Sequence, residues 1–269
     1  MFKITGTTGS TYSSDLCLDD IKLVDADNTS VDVGENLTIS ANYSGATGFV
    51  LNGTTAQIVT SNSSTVPDMT INNTSGVTIN GDITVTSLTL NNGLLTMNTN
   101  DILTTEMISG GFNNDNHIIG LVKRKSNSTT SMVFPVGDGT NYRPVSVTPQ
   151  TSATSDYSVL YNNTSHNSVN FTQYTNGTPT GTNLHSIANS YYWDISKGSN
   201  SAPAKIAIAW DATMNVIAPT DIVVAHYNST LNQWENIMNG NIASGTASSG
   251  AAISDYTSNF SPFGFGSSG

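Results

Sequence analysis

The chain has 269 residues, enough for one large β domain or two modest ones, and only 10% of them are charged, against about 25% in an average soluble domain. Its 8 Lys plus Arg stand against 19 Asp plus Glu, and the resulting net charge of −11 repels phosphate backbones and anionic headgroups, which argues against nucleic acid as a partner. No apolar run approaches the roughly 20 residues that a membrane-spanning helix needs, so membrane insertion is not expected.

With so few charges, the polar surface has to be built from Ser, Thr, Asn and Gly. Hydrophobic residues make up 36% of the chain and fall into short alternating runs such as VTINGDITVTSLTL, so a folded chain is expected rather than a disordered one. Alternation of period two recurs throughout, whereas helical i, i+3, i+4 spacing never extends beyond a few residues. The expected fold is therefore all-β, with almost no helix.

Residues 1–24 hold one or two strands, FKITG and LCLDDIKLV, with no basic segment, apolar run and small-residue cleavage site of the kind that directs export. They read as the end of another unit, and the composition favours a piece of a longer exported protein over a cytosolic one. Cys17 is the single cysteine, so no disulfide closes within this chain. Its thiol is expected either to be a small buried group or to have lost its partner with missing sequence. Residues 25–48 supply a connector and a strand pair, rich in the turn formers Asn, Asp and Gly.

From about residue 49 to residue 119 the texture changes to apolar doublets spaced by Thr and punctuated by Asn or Gly: MTINN, VTING, ITVTS, LTLNN, LLTMN. Ile71 to Leu90 spans 19 positions, Ile79 to Met97 spans 18 and Ile83 to Ile102 spans 19, a recurrence that suits the coil of a short parallel β-solenoid better than an antiparallel meander. Each coil would turn Ile, Val, Leu or Met inward and Thr outward, with Asn and Gly at the corners. Both ends of so short a stack need caps.

Residues 120–265 carry longer strands separated by Gly, Asn and Ser, among them GLVKRK, RPVSVTP, DYSVLYN, SYYWDIS, AKIAIAWD and DIVVAHYN. These predict an antiparallel β-sandwich whose core takes Trp193, Trp210, Val223, Trp234 and Phe263. The basic cluster Lys123-Arg124-Lys125 reads as a solvated strand edge. Residues 266–269 read as the end of a linker.

Few residues are arranged for chemistry. The glutamates Glu35, Glu106 and Glu235 form no obvious pair for glycoside hydrolysis, and Asp82 and Asp101 occupy solenoid turns without a basic partner. His117, His166, His185 and His226 lack zinc spacing, and no GxSxG nucleophile motif is present. No catalytic residue and no organic cofactor are expected. Calcium is the one candidate ion, at Asp19, Asp20, Asp25 and Asp27 or at Asp138. The DADN stretch nevertheless departs from an EF-hand, with Ser30 at loop position six and Asn36 at position twelve, and the Gly-Asp-Gly around Asp138 suits a tight hairpin, with Arg143 a partner for Asp138 across it. Tyr191 and Tyr192 could stack on sugar rings, although core packing accounts for the neighbouring tryptophan more simply.

The string SNSTTSMVFPVGDGTNYRPVSV, followed by YYWDIS, KIAIAWD, DIVVAHYNSTLNQWENI and SNFSPFGFGSSG, resembles the sandwich module of large Bacteroidetes surface proteins exported by the type IX secretion system. The preceding MTINNTSGVTINGDITVTSLTLNNGLLTMNTNDILTT is similar to the short solenoid found ahead of that module. KITGTTGSTYSSDLCLDDIKL resembles the last strands of a MAM domain, an extracellular jelly-roll adhesion module. The resemblance implies that most of a sandwich domain lies ahead of residue 1 and that a sorting domain removed at export would begin after residue 269.

Together these readings lead to an expectation of a non-enzymatic, extracellular structural or adhesive module of a bacterial cell-surface protein. Its partners would be other surface proteins or glycans, and copies of the chain could polymerise by strand addition at open edges. The competing expectation is a carbohydrate-binding module of a secreted enzyme whose catalytic domain lies elsewhere.

Overall fold

The computed structural model describes residues 30–45, 47–172, 183–238, 243–260 and 262–268. Among the described residues the fold is all-β, with 55% in strands and 3% helical, the helical part being two short 3₁₀ turns at Ala212–Met214 and Pro219–Asp221.

The first region is a parallel solenoid of about five turns. In chain order its strands are β1 (Val31–Val33), β2 (Leu37–Ile39), β3 (Phe49–Leu51), β4 (Gln57–Ser61), β5 (Ser64–Asn72), β6 (Val77–Asn80), β7 (Ile83–Asn92), β8 (Leu95–Met97), β9 (Ile102–Gly110), β10 (Ile118–Ile119) and β11 (Leu121–Ser126). Odd-numbered strands stack into one parallel sheet and even-numbered strands into another, so every coil contributes to both. The register places Leu51 beside Ile71 and Ile71 beside Leu90 in one sheet, and Val59 beside Ile79 and Ile79 beside Met97 in the other. All of these side chains are buried. The outward threonines and asparagines form ladders, with Thr89 Oγ1 3.1 Å from Ser109 Oγ and the Asn92 amide donating to Asn72 Oδ1 at 2.7 Å.

Two of the spacings found in the sequence, Ile71 to Leu90 and Ile79 to Met97, are strand registers. The third is corrected by one residue, because Ile83 pairs with Leu103 and not with Ile102. Leu103 is fully buried, and a slip of one residue would have turned the opposite face of β9 inward.

Corners are held by backbone that only glycine accepts and by side chains that reach the next coil. Gly93 adopts φ 94° directly against the Asn73 carbonyl oxygen, where a Cβ would collide. Asp82 Oδ1 accepts the Ile102 N–H at 2.8 Å, and Asp101 Oδ2 accepts the Gly81 N–H at 2.6 Å, so both aspartates staple neighbouring coils together. Two buried polar side chains tie coils together: Gln57 donates to the Val33 and Glu35 carbonyls, and Asn73 donates to the Thr55 carbonyl and to Gln57 Oε1.

The second region contains β12 (Met132–Phe134), β13 (Val145–Pro149), β14 (Ser155–Asn162), β15 (Ser186–Ile187), β16 (Tyr192–Lys197), β17 (Ala204–Asp211), β18 (Ile222–Asn228), β19 (Gln233–Asn236), β20 (Ser244–Thr246), β21 (Ser249–Ile253) and β22 (Pro262–Ser267). One sheet has the order β11-β14-β16-β22-β18-β19, with β15 against β22, and the facing sheet has the order β12-β13-β17-β21-β20. All pairs beyond β11 are antiparallel. Between the sheets the Phe265 ring lies 5.8 Å from Trp193 and 5.9 Å from Trp210, and the Trp193 indole N–H donates to the Arg143 carbonyl at 2.9 Å.

The two regions share a sheet. β11 pairs parallel with β9 on one side and antiparallel with β14 on the other, so the sandwich closes the last coil of the solenoid. A parallel bridge between Ile118 and Val136 ties in the other solenoid sheet. Arg124 sits at this junction, 8% exposed, donating at 2.8 Å to the carbonyls of Val133 and Glu106, with its guanidinium 5.9 Å from the centre of the Phe134 ring. Burial lowers its pKa to about 10, which leaves it charged at neutral pH.

Three expectations are corrected here. The basic cluster is not a solvated edge: β11 is an interior strand, and its alternation turns Arg124 into the core while Lys123 lies 3.4 Å from Asp156. The strand pair of residues 25–48 is not a pair, since β1 joins β3 and β2 joins β4, which makes both the first described coil of the solenoid. Gly266 and Ser267 belong to β22, in the interior of its sheet, and are not linker. The expected core residues Trp193, Trp210, Val223, Trp234 and Phe263 are all buried, within one hydrophobic cluster that covers both faces of the larger sheet. Trp210 and Phe265 meet between the sheets, but Trp234 and Val223 lie on the outer face, against the bare backbone of Gly264 and Gly266. In the FGFG run the phenylalanines point inward and the glycines leave room outside for these side chains. Residues 166–171 roof that outer cluster, with the Trp234 indole N–H donating to the Ser168 carbonyl at 2.8 Å and the His166 ring 5.2 Å from Trp234.

A candidate binding cleft at one end of the sandwich

The Gly-Asp-Gly segment forms a hairpin turn closed by a bridge between Gly137 and Tyr142. Asp138 Oδ1 accepts the N–H groups of Thr140 and Asn141 at 2.9 and 2.7 Å, and the Asn141 amide reaches both carboxylate oxygens. Burial alone would raise the pKa of this carboxyl, but these hydrogen bonds and the nearby Arg143 charge hold it below its ordinary value. The turn rests on His117, which is fully buried. Its Nδ1–H donates to the Asn113 carbonyl at 3.0 Å, and its Nε2 accepts the Gly139 N–H at 3.2 Å. Burial lowers the His117 pKa and favours this neutral form.

Arg143 does not pair with Asp138. The Asp138 carboxylate is occupied by its own turn, and the Arg143 guanidinium crosses instead to Asp211 Oδ2 at 2.7 Å and Thr213 Oγ1 at 2.5 Å. Asp211 ends β17 and caps the following 3₁₀ turn, accepting the Thr213 N–H at 2.9 Å, and Asn215 closes that turn in the left-handed region at φ 52°. Burial pushes the Asp211 pKa up, but its bonds to Thr213 and Arg143 outweigh that and lower it.

Four chain segments therefore meet at one end of the sandwich around a cleft of about 330 Å³. Arg143 and Tyr161 are its buried components, and the ring of Tyr191 lies 5.7 Å from Trp193 and 6.4 Å from Tyr161. Asn163, Ser190 and Asn215 are exposed around it. Tyr191, Met214 and Asn215 also line an adjoining groove of about 550 Å³, whose other side chains include Ile187 and Ile217, the latter 94% exposed. Burial pushes the Tyr191 phenol up to about 12, so it remains a neutral hydroxyl.

The structure thus brings together three of the residues singled out in the sequence, Asp138, Arg143 and Tyr191. Tyr192 is on the opposite face, because successive residues of a strand alternate, and packs 5.2 Å from His166 on the outer side of the sheet. Asp19, Asp20, Asp25 and Asp27 lie outside the described residues. Among the described residues no group of three or more His, Cys, Asp or Glu gathers as a metal site. Nothing in the sequence sets Asn163, Ser190 and Asn215 together; they become neighbours only when the loops after β14, before β16 and after β17 converge.

By class, this is an all-β protein in which a parallel solenoid continues into an antiparallel sandwich with a polar cleft at its end. Comparison of the chain with protein-family models, with curated proteins and with solved structures finds no match in any of the three.

Proposed function

We propose that the chain is a non-enzymatic, extracellular structural and adhesive module of a bacterial cell-surface protein. The observation that carries this reading is the sheet that runs unbroken from β1 to β19. At about 4.8 Å per strand, its eleven-strand path is roughly 50 Å wide, and a stalk hydrogen-bonded into the sandwich that follows it is suited to holding a binding surface away from a cell. The sparse charge of the chain and its Thr and Asn ladders suit an exterior that meets neutral hydroxylated surfaces.

The chemistry of the cleft favours binding over turnover. Glycoside hydrolysis needs a carboxylic acid that keeps its proton, and both carboxylates at this cleft, Asp138 and Asp211, have lowered pKa values and are already hydrogen-bonded. The test is a turnover screen on polysaccharides and peptides, run beside adhesion of the labelled chain to bacterial and host-cell surfaces. Adhesion without turnover is expected, and turnover that survives repurification overturns the reading. Calcium enters it only as a weak ligand, and a submicromolar site by calorimetry would contradict that part.

Self-assembly is the more far-reaching form of the proposal. Among the described residues nothing pairs with the outer edges of β1 and β2, and a strand added there from another copy would extend the stack head to tail. Light scattering and electron microscopy of the chain with and without residues 1–24 test this, and two monomeric forms at high concentration would rule it out.

A further inference from the structure

We infer that the cleft beside Tyr191 is a glycan subsite that takes one ring of a neutral oligosaccharide, with the next ring in the adjoining groove. This rests on the adhesive reading and names its ligand.

The inference starts from how the charges are disposed. Arg143 is the cation lining the cleft, and it is held at 2.7 Å by Asp211, while Asp138 adds a second carboxylate. The local balance is negative, within a chain of net charge −11, so uronates, sialosides and phosphates are disfavoured. A cationic ligand is no better served, because both carboxylates already accept hydrogen bonds from their own turns. What remains for a ligand is uncharged: the amides of Asn163 and Asn215, the hydroxyl of Ser190 and the phenol of Tyr191. Amides and hydroxyls both donate and accept, which matches the hydroxyl groups of a sugar.

Shape points the same way. A volume of about 330 Å³ is at the lower end of the range for ligand pockets, roughly 300–1,000 Å³, and suits a single ring better than an extended peptide. The groove beyond it shares Tyr191, Met214 and Asn215 and adds Ile187 and Ile217. Ile217 is 94% exposed, an apolar side chain placed where the C–H face of a second ring can cover it. Tyr191 is braced by Trp193 and Tyr161, so its ring is positioned before any ligand arrives.

The whole chain, titrated with cello-, xylo-, manno- and chito-hexaoses and with oligogalacturonate, reports binding through intrinsic tryptophan fluorescence and saturation-transfer NMR. At least one neutral hexaose is expected to bind saturably and the oligogalacturonate to bind more weakly. Tyr191→Ala should weaken binding about tenfold, the equivalent of 1.4 kcal/mol. Because Tyr191 also packs against the core, two surface variants separate binding from folding. Asn215→Gly keeps the left-handed turn while removing the amide, and Ser190→Arg blocks the cleft; both should keep the melting temperature and lower affinity. Thr230→Arg, in a different surface depression, should bind like the parent chain. Absence of binding to every neutral hexaose, or unchanged binding by Ser190→Arg, overturns the inference. Full cell-surface adhesion by Ser190→Arg would remove this site and leave the adhesive reading standing, whereas turnover of the bound glycan would do the reverse.

Discussion

In the solenoid Ile71 finds its partner Leu90 one coil away, whereas in the sandwich Trp193 meets Phe263 across 70 residues of chain. The interiors differ to match. Solenoid positions such as Leu51, Val59, Ile79 and Leu88 are aliphatic and repeat from coil to coil, while all 3 tryptophans belong to the sandwich. A stack of near-identical coils is stabilised mainly by nearest neighbours, so damage should stay local. A sandwich whose sheets are joined by rings and cross-sheet hydrogen bonds should respond as a unit. β11 belongs to both sheets, which makes the contrast testable within one chain.

The strongest perturbation is Trp193→Ala. It removes a fully buried ring and the N–H bonded to the Arg143 carbonyl, and should cost about 4 kcal/mol in denaturant unfolding followed by the fluorescence of Trp210 and Trp234. Loss of structure throughout the sandwich is expected, and a loss confined to β16 would contradict its cooperativity. Leu90→Ala should cost about 3 kcal/mol, and its signature is spatial. Hydrogen exchange should speed up in β5, β7 and β9 while β17 and β22 keep their protection. Equal deprotection of both regions would defeat the nearest-neighbour account.

The junction comes next. Arg124→Ala leaves the Val133 and Glu106 carbonyls without that donor, a loss of about 2 kcal/mol. It should also uncouple the two regions, so that circular dichroism and tryptophan fluorescence, expected to coincide in the parent, report different midpoints. Coincident midpoints in the variant would mean that the shared sheet alone carries the coupling. The smallest effect is expected at a coil corner. Asp82→Ala removes the staple to Ile102 and should cost about 1 kcal/mol, seen as a modest drop in melting temperature with the sandwich signal unaltered.

Wherever structure is decided by near neighbours, it was legible in the chain. Period-two alternation identified an all-β protein, and the recurrence from Ile71 to Leu90 and from Ile79 to Met97 identified coils, because a parallel stack repeats its register in the sequence itself. The Gly-Asp-Gly hairpin and the turn positions of Asp82 and Asp101 were equally local. Tertiary structure decided what depends on distant partners. An Arg between two lysines has the composition of a solvent face, and only the placement of β11 between β9 and β14 turns Arg124 inward. Arg143 has Asp138 close by in sequence, yet that carboxylate is occupied by its own turn, and its ion-pair partner, Asp211, arrives through β13 and β17. The cleft beside Tyr191 is assembled in the same way, from side chains near residues 140, 163, 190 and 215. Alternation specifies which face of a strand a side chain takes, but a site at the ends of several strands exists only after the sheets that carry them have packed.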